Sequence, residues 1–127
     1  MRVIRHDEVK SAVLELTGEV DYCAMKEIRQ QIEGLLLESF QFFVLDMEQV
    51  LHIQYGSLHE LVECARQVRN RFGGICVTRL NPYLKDILQL MDVNCQFEIF
   101  DASEECYLHK IYPAATPRAS VLTQTAL

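Results

Sequence analysis

Ser57, with His52 and His59 on either side, is the place in this chain where residue types could do nucleophilic chemistry, a hydroxyl activated by an imidazole that a carboxylate would have to orient. No GxSxG elbow surrounds Ser57, and such neighbours arise by chance, so a small Ser- or Cys-dependent enzyme stands only as a minor alternative. The two histidines are seven residues apart across what reads as a loop-to-helix junction. They therefore lack the spacing of a helical ligand pair and read as two partly exposed imidazoles rather than a metal site. Cys23, Cys64, Cys76, Cys95 and Cys106 are odd in number, widely spaced and without a CxxC pair, so neither a disulfide framework nor a zinc site is suggested. They read as reduced thiols filling apolar space. Gly73-Gly74 stands ahead of a strand, the opposite polarity to a glycine loop that cradles phosphate at a helix start. No catalytic residue, metal or cofactor is assigned.

The segment 54–60, Gln-Tyr-Gly-Ser-Leu-His-Glu, says more. Ser57 followed three residues later by Glu60 has the spacing of a capping box, in which the serine oxygen satisfies free amides of a helix's first turn. The same helix end, with its partial positive charge, would also favour a phosphate, so this position suits a switch.

The surrounding elements follow from periodicity. Residues 11–17 read as a strand that Gly18 ends, with residues 2–6 as a partner turned around 7–10. Asp21 is a plausible N-cap for a helix whose apolar residues Met25, Ile28, Ile32, Leu35 and Leu36 share one face. Residues 40–46 form a nearly continuous aromatic and apolar run, the candidate central strand. A helix over 58–72 buries Leu58, Leu61, Val62, Ala65, Val68 and Phe72 and is stopped by Gly73-Gly74; a strand over 75–80 follows. Asn81-Pro82 opens a short helix burying Leu84, Ile87, Leu88 and Met91. Residues 97–100 make a last strand, and Asp101 to Glu104 caps a terminal helix ending near Tyr112. From Pro113 the composition turns to Ala, Thr, Ser and Pro, as in a disordered tail. The alternation calls for an α/β domain over 1–112, with a mixed, mostly parallel sheet of four to five strands flanked by about four helices.

Composition narrows the partners. The 127 residues carry 12 basic and 18 acidic groups, a formal charge of −6, the wrong sign for affinity to nucleic-acid phosphates. Residues 1–64 hold 5 of the basic and 12 of the acidic groups, so an acidic recognition face belongs to the first half. Arg66, Arg69 and Arg71 make a basic edge on the second helix, near Arg79. The N-terminus has no apolar leader, and no stretch has the length of a membrane span, so a soluble, cytoplasmic protein is expected.

Taken in order, Thr17-Gly-Glu-Val-Asp21, Ile28-Arg-Gln-Gln-Ile32, Phe43-Val-Leu-Asp46, Gln54-Tyr-Gly-Ser-Leu58, Gly73-Gly74 and Asn81-Pro82 resemble a STAS domain over roughly residues 1–112, most of all the bacterial anti-sigma factor antagonists. The resemblance implies no catalysis or cofactor of its own, and a protein partner that is both an anti-sigma factor and a serine kinase. In that family the junction before the second helix reads Asp-Ser-Ser-Gly-Leu-Gly, and its second serine accepts phosphate. Here Gln54 takes the Asp position, Tyr55 the first Ser, Gly56 the acceptor, Ser57 the first Gly and His59 the second. Glycine has no hydroxyl to phosphorylate. Either Ser57 accepts phosphate one place later, or the module binds without a switch, the reading favoured here because one residue rotates a helical side chain by about 100°. The implied partner surface is Glu19, Asp21, Gln54, Tyr55, Gly56, Ser57 and His59. Relatives lacking the acceptor imply an alternative, a docking subunit of a transporter ATPase or a stress-sensing complex. A homo-oligomer is compatible with either.

Overall fold

A computed structural model describes residues 1–89 and the backbone of Leu90 and of residues 98–100. Five strands lie in one sheet in sequence order. Strand β1 (Arg2–His6) pairs antiparallel with β2 (Ser11–Val20). Strands β3 (Phe42–Ile53), β4 (Gly74–Thr78) and β5 (Glu98–Phe100) then follow in parallel. Helices α1 (Tyr22–Leu37), α2 (Leu58–Asn70) and α3 (Pro82–Leu90) form the crossovers that parallel pairing demands. The mixed, mostly parallel α/β class is as the sequence implies. The fourth helix, the 113–127 tail, Met91, Phe97, Cys95 and Cys106 lie outside the described residues.

Sequence and structure agree most closely on α1. Asp21 Oδ1 accepts from the Ala24 amide at 2.9 Å, and the buried stripe is Met25, Ile28, Ile32, Leu35 and Leu36. These residues meet Leu61, Cys64, Ala65 and Val68 of α2, Leu84, Ile87 and Leu88 of α3, and the sheet's Leu14, Phe43, Leu45 and Val77 in one core. At α3, Asn81 Oδ1 accepts from the Leu84 amide at 2.8 Å, the cap that the Asn-Pro pair promises.

Three boundaries differ from expectation. Gly18 does not end β2: it lies within the strand at φ 71, and pairing runs on to Val20. Strand β3 starts at Phe42 and runs to Ile53, well beyond Asp46. Between Asp46 and Ile53 the register against β2 slips twice, so β3 carries one extra residue at each of two bulges. Its buried residues become Met47, Val50 and Ile53, three apart instead of two, and the alternation that identifies a strand disappears.

The third difference is how helices close. In α1 the Phe40 amide bonds the Leu35 carbonyl and the Ser39 amide that of Leu36, with Ser39 left-handed at φ 70. This is a Schellman turn, and Phe40 is the buried residue that seals it rather than the first residue of a strand. Helix α2 ends in the same way: the Gly73 amide reaches the Val68 carbonyl and the Phe72 amide that of Arg69. The left-handed seat is held by Phe72 at φ 62, not by a glycine, and Phe72 is 90% exposed instead of buried. Gly73 is required for a different reason: a Cβ there would stand 2.0 Å from the Gln41 carbonyl oxygen.

Candidate functional site

The carboxyl ends of β2 and β3 and the first turns of α1 and α2 converge at one pole of the sheet, where loops of an open α/β fold gather their functional residues. Gln54 joins them. Its amide donates to the Val20 carbonyl at 2.9 Å, its side-chain oxygen accepts from the Tyr22 amide at 3.1 Å, and its carbonyl accepts from the Ser57 amide at 3.1 Å. The loop holding Glu19 and Asp21 and the junction holding residues 54–59 are thereby one continuous surface. Glu19, exposed, pairs in register with His52, while Asp21 is exposed and occupied with its cap.

The capping box does not form. A turn of 3-10 helix, Tyr55–Ser57, precedes α2, and the Leu58 amide is bonded to the Tyr55 carbonyl. Ser57 is helical itself (φ −92, ψ −8), and its hydroxyl turns back to donate to the Gln54 carbonyl at 2.7 Å. Glu60 does not reach back either: it takes Arg29 of α1 at 2.5 Å. Arg29 also holds Glu33 at 3.3 Å, and Glu60 first, then Glu33, keep the guanidinium above its usual range. Tertiary pairing has displaced local pairing, because the Glu60 carboxylate is largely buried and a charge in that position needs an opposite charge.

Ser57 is fully buried. Gly56, one residue earlier, is exposed, has an ordinary backbone, and a Cβ built on it would meet nothing within 4 Å. His59 is exposed, and its Nδ1 lies 2.9 Å from the Gly56 carbonyl, to which the ring N–H donates. His52 sits elsewhere: its Nδ1 is 2.6 Å from the Tyr83 hydroxyl, its ring stacks on Tyr83 at 5.8 Å, and Tyr55 meets it edge-on at 6.4 Å. Neither imidazole is bonded to Ser57, whose hydroxyl is spent on a carbonyl. Of the described thiols Cys23 is exposed, whereas Cys64 and Cys76 are buried, and burial pushes the Cys64 thiol up to about 12. Among the described residues no group of three His, Cys, Asp or Glu side chains converges as a metal site.

Sequence reasoning missed Tyr22 and Tyr83, 45% and 50% exposed, and Leu51, 74% exposed, all on or beside this surface. Tyr22 and Tyr83 open their helices off the apolar stripes, a signal that an aromatic is not there for the core. The basic edge is also divided. Arg71 stands before β4 and Arg79 after it, about 16 Å of strand apart. Arg79 is held by Asp46 at 2.9 Å and Glu48 at 3.0 Å, and Arg66 by Glu63 at 2.6 Å.

A sheet in sequence order with helical crossovers, and two loops stitched together at one of its poles, defines a small α/β domain. The chain belongs to the STAS domain family, which it matches over residues 1–106. Its fold is similar to that of the anti-sigma factor antagonist SpoIIAA of Bacillus in its unphosphorylated form, at 16% identity and a TM-score of 0.74, covering 88% of this chain and 96% of that one. An anti-sigma factor antagonist from Mycobacterium paratuberculosis gives 19% and 0.71 over 87% and 91%. A sulfate transporter family protein from Wolinella succinogenes gives 16% and 0.60 over 91% and 89%. Among the described residues no helix is long and apolar enough to cross a membrane.

Proposed function

We infer that this protein is a non-enzymatic regulatory module of the anti-sigma factor antagonist kind, which grips an anti-sigma factor/serine kinase in the bacterial cytoplasm and is not switched by serine phosphorylation at the usual seat. Glu19, Asp21, Gln54, Tyr55, Gly56 and His59 form the gripping surface, and Ser57 supports it from beneath. The observation that carries this reading is the contrast between adjacent residues. Gly56, in the acceptor position, faces open space but has no oxygen, whereas Ser57 has the oxygen but buries it against the Gln54 carbonyl. A phosphoryl group on Ser57 would have to bring two negative charges into that buried position, so the hydroxyl cannot serve one place later without dismantling the turn.

The test is calorimetric titration of the protein with the anti-sigma kinase of its own cell. Binding should be tight, and unchanged after prolonged incubation with Mg-ATP. Release on incubation with ATP would refute the unswitched reading, and absence of binding would refute the partner class.

The likeness to the sulfate transporter family protein supports a second reading in which the module docks at a transporter, and we take a transporter ATPase as the form of it to test. Both readings use the same stitched surface. Purification from membranes of the native cell separates them: co-purification with a transport ATPase instead of a soluble kinase would select the second.

A further inference from the structure

The pole opposite the stitched surface, where α1 and α2 end, carries the two most exposed large apolar side chains among the described residues, Phe72 at 90% and Leu37 at 79%. The 16-residue length of α1 sets it roughly 24 Å from the gripping surface. Phe72 occupies the left-handed seat of a Schellman turn, a place that suits glycine. The residue after it is pinned against the Gln41 carbonyl, so the ring is held outward on a rigid base. Next to it the ends of α1 and α2 enclose a groove of about 390 Å³, lined by Glu33, Leu36, Leu37, Gln67, Asn70 and Arg71. The Arg71 guanidinium is anchored to the Leu36 carbonyl at 3.3 Å, and Glu33 is held by Arg29 at 3.3 Å. The groove therefore presents a cation and a carboxylate with leucine between them.

We propose that two copies of this chain pair through this pole as a weak homodimer, the Phe72 ring of each entering the groove of the other, with Glu33 of one copy facing Arg71 of its mate. A knob adjoining a hole on one surface is self-complementary under two-fold rotation, and so is a groove carrying one charge of each sign. A partner of single-signed charge would be attracted by one of these groups and repelled by the other. This favours a second copy of the chain as the occupant. The apolar contact is small, which places the pairing at the weak end of protein association. Such a dimer turns both gripping surfaces outward, so it would engage partners bivalently. The inference does not rest on the proposed function, whose residues lie at the other pole.

Sedimentation velocity on the full chain between about 10 and 500 µM tests it. The sedimentation coefficient should rise with concentration along a monomer–dimer curve. Phe72→Gly, which suits the left-handed seat and so keeps the fold, should weaken dimerisation by at least about tenfold without lowering the thermal midpoint. Glu33→Arg and Arg71→Glu should each weaken it, and the double variant should regain most of the loss. A chain that is monomeric across the whole range overturns the proposal. Association that Phe72→Gly leaves unchanged overturns it too, as does growth past dimers into open chains.

Discussion

The two poles of the parallel sheet solve the same problem, closing the ends of α1 and α2, in different ways. At the pole where α1 and α2 begin, the closure is made by side chains: Asp21 caps α1, Gln54 stitches both loops together, and Ser57 turns its hydroxyl inward. At the far pole it is made by backbone, through two Schellman turns with Ser39 and Phe72 in left-handed seats. Polar stitching fixes a surface without specifying which outward side chain stands at its centre, and this is how the exposed position 56 can be a glycine while the junction stays intact. Backbone closure fixes the chain path and leaves the side chain in each seat free to be anything that tolerates φ > 0, which is how an aromatic comes to stand exposed at position 72.

The contrast breaks most sharply at adjacent residues. Ser57→Asp should cost about 3 kcal/mol or more of stability in urea unfolding, since it drives a carboxylate against a buried carbonyl. Gly56→Asp should stay within about 0.5 kcal/mol of the parent because it points into open space. Equal costs at the two positions would mean that the buried and exposed roles have been assigned wrongly. Next in size, Gly73→Ala should lose about 2–4 kcal/mol, as the added methyl collides with the Gln41 carbonyl and the β3–β4 start must shift. Phe72→Gly should move the other way, gaining up to about 1 kcal/mol by relieving the left-handed seat. If that gain is absent, the seat is not strained.

The smallest effect concerns pH. Partial burial holds the His6 imidazole below its usual range, outweighing the pull of Asp7. The folded protein therefore binds the His6 proton less readily than the unfolded chain does. The sign follows: this contribution is fully present above the unfolded value near 6.5 and is lost as pH falls toward the folded one. Urea midpoints should decline between about pH 7.5 and 5.5, and His6→Asn should flatten that part of the decline.

Where local periodicity and tertiary packing agree, the chain is readable from its residues, and α1 is the clearest case, with cap and buried stripe as the spacing dictates. The far half of β3 was not readable, because two bulges turn an alternating pattern into Met47, Val50 and Ile53. At the site, the order of residues shows a glycine beside a serine, but only the fold shows that Gly56 is exposed and Ser57 buried. The Ser57–Glu60 spacing misled, since a partner 31 residues away, Arg29, claims the glutamate. Tyr83 joins His52 from a similar sequence distance, a contact that no local pattern encodes.

Intact-mass spectrometry of the native chain and of Gly56→Ser, each incubated with the anti-sigma kinase of its own cell and Mg-ATP, tests the central claim most directly. The native chain should remain unmodified, and Gly56→Ser should gain one phosphoryl group at the new hydroxyl, which has the space to receive it. Stoichiometric phosphate on Ser57 of the native chain would contradict the account.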